Sequence, residues 1–162
     1  MSADFDTDLD FIRQAMPAFI SEAAEQIEAI ETLLLELEEQ PDNRDLLDSL
    51  FRCAHTVKGS AGIFGLNRVV EFTHHVETLL DKMREGDIAL TPAISTLLLQ
   101  CNDQIKFLVD TAADEGAGRL RTGAGAGQHI LHQGMSYYGA SFWVGANAVI
   151  RKVDRKSTRL NS

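Results

Sequence analysis

A chain of 162 residues with 24 acidic and 15 basic side chains, 44% apolar and with three prolines, has the composition of one globular domain with a core rather than a disordered polymer or several domains. Its formal charge of −9 disfavours a nucleic-acid partner, because grip on a phosphate backbone comes from Lys and Arg. No stretch approaches the ~20 apolar residues that span a bilayer, and Asp4, Asp6, Asp8 and Asp10 stand where a signal peptide needs basic residues, so a cytoplasmic protein without membrane insertion is expected.

The first element is an amphipathic helix. Phe19/Ile20, Ala23, Ile27, Ile30, Leu34 and Leu37 step by three and four, with Glu22, Glu25, Glu28, Glu31 and Glu36 between them. Pro17 is tolerated in a first turn but not in an interior, which predicts a main helix starting near Met16 after a short lead-in from Leu9. Gln40-Pro41-Asp42-Asn43 ends it, and Asp42 or Asn43 can cap a second helix that buries Leu47, Leu50, Phe51, Ala54, Val57, Ala61 and Phe64 before stopping at Gly65. A third helix, with Asn67 as its cap, buries Val69, Phe72, Val76, Leu80 and Met83 and stops at Gly86. Thr91-Pro92 opens a fourth through Leu97, Leu98, Cys101, Ile105 and Leu108 to about Ala113. Short connections between helices of this length predict an all-α, antiparallel up-down four-helix bundle over residues 1–115. Cys53 and Cys101 fall on these helical patterns without metal-ligand spacing and are expected to be buried thiols.

Residues 116–162 are a different kind of sequence. The first 118 residues hold 23 acids against eight bases, whereas residues 119–162 hold one acid and seven bases. The change coincides with Gly116-Ala-Gly118 and the glycine-rich run 122–127, so a linker-like tail without a defined element is expected. Its last nine residues, DRKSTRLNS, look like a translated sequencing adapter, which suits a truncated or frameshifted fragment. The tail is assigned no function.

Helix two carries the chemistry. At 100° per residue, Lys58, Gly59 and Gly62 fall within about 60° of His55, on an arc beside the apolar stripe. A glycine inside a helix costs about 1 kcal/mol relative to alanine, so two on one arc point to a close approach by another molecule and mark Gly59 and Gly62 as docking positions. A neutral imidazole keeps one nitrogen lone pair and is a competent nucleophile toward phosphorus. Glu77, at the margin of the helix-three stripe, comes within reach of His55 in an antiparallel pair. There a carboxylate accepting the Nδ1 proton leaves Nε2 free. Lys58 offers a cation for incoming phosphoryl oxygens.

The run Ala54-His-Thr-Val-Lys-Gly-Ser-Ala-Gly-Ile-Phe-Gly-Leu66 resembles the H-x-x-K-G-x-x-x-x-x-G signature of histidine phosphotransfer (HPt) domains, in particular the N-terminal phosphoacceptor domains of CheA-type chemotaxis histidine kinases. The likeness continues through Phe72-Thr-His-His-Val-Glu-Thr-Leu-Leu-Asp-Lys-Met-Arg-Glu-Gly86 and covers roughly residues 8 to 114. It implies phosphorylation of His55, assisted by Lys58, His74 and Glu77, with Gly59 as the small residue beside the phosphohistidine. It also implies a two-component phosphorelay. The ATP-binding kinase domain of a CheA-type protein, carrying Mg-ATP, passes a phosphoryl group to His55, which hands it to an aspartate on a response regulator receiver domain. No glycine-rich nucleotide cradle is present in this sequence, so no cofactor bound by the domain itself is expected and it is not by itself a complete kinase.

Two rival readings are open. His74-x-x-Glu77 has the spacing used by di-iron carboxylate bundles, but those need a second such motif and more inward glutamates, so no metal site is assigned. The other rival is an adapter domain of the same fold whose histidine is never modified.

Overall fold

The computed structural model describes the backbone of residues 2–121 and the side chains of residues 10–12 and 14–114. It contains four helices, α1 (Ser2–Glu39), α2 (Arg44–Ile63), α3 (Asn67–Arg84) and α4 (Pro92–Arg121), and no strand among the described residues. Each helix packs on its neighbours around a ring, α1 on α2, α2 on α3, α3 on α4 and α4 back on α1, as in an up-down bundle. The predicted stripes form the core. Leu34 and Leu37 of α1, Leu50 and Val57 of α2, Val69 of α3 and Ile105 of α4 are fully buried. Burying each such leucine contributes about 1.5–3 kcal/mol of driving force. No described helix is long and apolar enough to cross a membrane.

Three boundaries differ from the sequence expectations. Helix α1 does not start near Met16 but runs unbroken from Ser2, with Pro17 inside it. Pro17 is exposed while Met16 and Phe19 on either side pack on the core, so docking of the flanking turns outweighs the one backbone hydrogen bond the ring removes. Helix α4 does not end near Ala113. It passes through Gly116 and Gly118 to Arg121, because a glycine lowers helix propensity without ending a helix unless it turns left-handed. Residues 122–162 of the tail lie outside the described residues.

The third difference is the cap of α3, which is Leu66 rather than Asn67 and makes no side-chain hydrogen bond. Gly65 adopts φ +67°, the Gly65 N–H donates to the Gly62 carbonyl at 3.1 Å, and the Leu66 N–H donates to the Ala61 carbonyl at 3.0 Å. This is a Schellman closure of α2. The turn is so short that the residue completing it also precedes α3, and an apolar side chain packed against the core takes the position a polar cap would hold. The other caps agree with the sequence. Asn43 Oδ1 accepts from the Asp45 and Leu46 N–H groups at 3.1 and 3.3 Å, and Thr91 Oγ1 accepts from the Ile94 N–H at 3.3 Å. Gly86, at φ +84°, closes α3 as Gly65 closes α2.

Polar contacts tie α4 to α1. Asn102 Nδ2 donates to the Ile27 carbonyl at 3.0 Å, and Ser95 Oγ donates to Glu38. Cys101 is buried as expected, but Cys53 is only half-buried, since its position on α2 lies at the edge of the stripe. Burial pushes the Cys101 thiol up to about 12 and the Cys53 thiol up in the same direction.

Candidate functional site

Ala54 and Val57 point α2 into the core and so turn His55 outward. Its side chain is 64% exposed. The Gly65 turn folds α3 back antiparallel against α2 and sets Glu77 directly behind the imidazole. Glu77 is more deeply placed than a stripe margin suggests, with its side chain 6% exposed. A carboxylate so nearly removed from water requires partners, and it has them. His55 Nδ1 lies 2.6 Å from Glu77 Oε1, and the Lys58 ammonium sits on Glu77 Oε2.

With Nδ1–H donating to a carboxylate, the neutral imidazole carries its lone pair on Nε2. The ring therefore presents a nucleophilic nitrogen away from Glu77 while the opposite nitrogen is anchored. Lys58, expected to offer a cation to incoming phosphoryl oxygens, pairs with Glu77 and keeps its side chain partly exposed. Its charge compensates the buried carboxylate within the site. His74 Nδ1 lies 4.0 Å from Glu77 Oε2, beyond hydrogen-bond length, and the His74 side chain is 67% exposed. His74 thus flanks the site without joining the contact set. Both Glu77 oxygens are engaged, one by His55 and the other by Lys58. Among the described residues no group of three His, Cys, Asp or Glu side chains is arranged to hold a metal ion.

Gly59 and Gly62 are exposed on the arc of His55. A Cβ at Gly59 would meet nothing within 4 Å, and one at Gly62 would only touch Val70 Cγ2 at 4.0 Å. Nothing among the described residues requires either position to be glycine. Three residues that the sequence reading did not single out complete the surroundings. Ile63, 75% exposed, extends the bare arc with an apolar side chain. The helical wheel already sets it outside the apolar stripe, which is the signal that could have found it. Phe51, counted as core, is only half-buried and lies nearly parallel to the His55 ring, at 12° with centroids 6.1 Å apart. Arg84 of α3 places its guanidinium 4.6 Å from the Phe51 ring centroid. No local pattern links Phe51 to a residue on another helix.

The described residues thus form an all-α bundle that buries a carboxylate beneath an exposed imidazole. Comparison with known proteins gives this bundle its family: the chain belongs to the Hpt domain family, whose model matches residues 14–107. It is 38% identical over 109 residues to the sensor histidine kinase CheAY of Helicobacter pylori, a match covering 67% of this chain and 14% of that protein. The chain thus spans about one seventh of the length of that curated relative. Among solved structures it is similar to the CheA phosphotransferase domain from Thermotoga maritima, with a TM-score of 0.59, 31% identity, and coverage of 62% of this chain and 96% of that one. The fold is also shared with the phosphorylated P1 domain of CheA3 in complex with CheY6 from R. sphaeroides, with a TM-score of 0.64 at 22% identity, covering 88% of this chain and 98% of that one.

Proposed function

We propose that this domain is the phosphoacceptor module of a CheA-type chemotaxis kinase and that His55 is the residue phosphorylated. The observation that carries the reading is the 2.6 Å contact of His55 Nδ1 with Glu77 Oε1 under a ring that is 64% exposed. Such an arrangement fixes the tautomer and leaves Nε2 open to a macromolecular donor. ATP and its magnesium come with a separate kinase domain. Nε2 attacks the γ-phosphorus, the Nε2–P bond forms, and the bond from phosphorus to the β,γ-bridging oxygen breaks with ADP as leaving group. The phosphorylated ring retains its Nδ1 proton and becomes cationic, and the Glu77 carboxylate stabilises that charge.

The second half of the relay runs the other way. An aspartate oxygen of a receiver domain attacks phosphorus, the Nε2–P bond breaks, and the neutral imidazole is restored with its proton still on Nδ1. Gly59 and Gly62 leave room for either partner's backbone to come close. Membership of the Hpt family supports a receiver domain as the second partner.

The test is transfer of label from ATP by a CheA-type kinase core. Wild-type chain is expected to take acid-labile, base-stable label, and His55→Gln to take none. Label retained in His55→Gln would overturn the assignment. Absence of label in wild type, with partner binding retained in both proteins, would establish the adapter reading instead.

A further inference from the structure

One hydrogen-bond length is a single constraint on the two torsions, χ1 and χ2, that place the imidazole. Correlated rotation about χ1 and χ2 at a constant Nδ1···O distance would still tilt the ring and sweep Nε2 through an arc of directions. A second constraint is present one turn earlier in α2. The Phe51 ring lies at 12° to the imidazole with centroids 6.1 Å apart, within the range in which aromatic rings interact. Phe51 is itself held, since the Arg84 guanidinium lies 4.6 Å from its centroid in a cation–π contact. Arg84 is fixed in turn by Asp48 Oδ1, 2.6 Å from its Nε, and by Asp81 Oδ1, 3.3 Å from its Nη1. A line of side chains from α2 and α3 therefore runs from Asp48 through Arg84 and Phe51 to His55.

We infer that Phe51 is a positioning residue for phosphoacceptance, holding the His55 ring plane so that Nε2 is directed outward, and that Arg84 with Asp48 braces it. Phe51 touches no reacting atom and acts only through the imidazole. Its loss therefore lowers the rate of the chemical step without weakening association with the kinase domain. Arg84 acts at one further remove, so its loss has the same sign and a smaller size. The inference rests on the proposed function for its kinetic consequence, whereas the ordering of the ring does not.

Three variants of the full chain test it: Phe51→Leu, Phe51→Tyr and Arg84→Gln. With a CheA-type kinase core and labelled ATP, Phe51→Leu is expected to lower kcat about tenfold and to change KM by less than about twofold. Phe51→Tyr, which restores a ring, is expected within about twofold of wild type, and Arg84→Gln about threefold slower. Equal losses in the leucine and tyrosine variants, or a Phe51→Leu rate matching wild type, would overturn the inference while leaving phosphorylation of His55 intact. Should Phe51→Leu fail to fold, Arg84→Gln, altered at the half-exposed end of the line, decides the matter on the same criterion. Carbon relaxation at His55 Cδ2 and Cε1 needs no kinase. Ring order is expected to fall in Phe51→Leu and return in Phe51→Tyr, and unchanged order would overturn the inference even if wild type took no label.

Discussion

His55 and Glu77 stand twenty-two positions apart in the chain and meet at 2.6 Å across two helices. The contact joins an exposed ring to a carboxylate almost sealed from water. The protein thereby places a fixed negative charge behind a nitrogen that must become part of a cation during the proposed reaction.

Replacing Glu77 by Gln removes that charge while keeping the shape of the side chain. The rate of His55 phosphorylation is expected to fall about tenfold or more, because the amide neither enforces the Nδ1–H tautomer nor stabilises the phosphorylated ring. Nitrogen chemical shifts of the imidazole should show the tautomer preference weakening in the same variant. An unchanged rate constant would take Glu77 out of the mechanism.

Lys58→Met leaves the Glu77 carboxylate buried without its ammonium partner. A loss of about 2 kcal/mol in unfolding free energy is expected, read from urea denaturation. Adding Glu77→Gln to Lys58→Met should restore part of that loss, since no charge then remains to be compensated. A double-mutant cycle returning strictly additive values would contradict the pairing.

Two glycines of the same motif should respond to alanine in opposite directions. Gly65, at φ +67°, holds a left-handed turn, and Gly65→Ala is expected to destabilise the fold by about 1–2 kcal/mol. Gly59 lies inside α2 with open space where a Cβ would go, so Gly59→Ala is expected to raise stability by about 0.5–1 kcal/mol. The same Gly59→Ala change should slow phosphorylation if a partner's backbone approaches there. Thermal melts and transfer assays on both variants check the two signs.

The cysteines should differ in reactivity. A thiol reacts as its thiolate, and burial holds the Cys101 thiol near a pKa of about 12, so at pH 8 almost none is ionised in the folded protein. Cys53, half-buried and shifted upward in the same sense, should be modified first by a thiol reagent under native conditions, with Cys101 following only under denaturing ones. Mass mapping of the labelled peptides measures the order, and simultaneous modification would contradict the packing of α4.

The stripes were readable because burial on a helix leaves a three-and-four spacing, and Phe19 through Leu37 or Leu47 through Ala61 carry it without interruption. His55, Lys58 and the arc glycines were readable because they share one helix. Glu77 could be brought to His55 only by folding α3 onto α2, an inference the Gly65 stop permitted. The pairing of Lys58 with Glu77 was not readable, because it follows from how deeply the carboxylate is buried, a property of the packed bundle. Phe51 and Arg84 escaped for a related reason: Phe51 sits on the edge of the stripe and reads as core, and Arg84 lies on another helix. Asn67 has the chemistry of a cap, but the Schellman closure of α2 claims the preceding position, so Leu66 caps α3, which no local pattern reveals.

That shared residue also governs which length changes this domain can accept. Leu66 finishes one helix and leads directly into the next, so the rotational phase of α3 relative to α2 is locked by a connection with no slack. One inserted residue there would turn every α3 side chain by about 100° and carry Glu77 out from behind the imidazole. The connection at residues 85–91 holds no such member, and relatives are expected to vary in length at that end of the bundle while keeping the hairpin between His55 and Glu77 invariant in count.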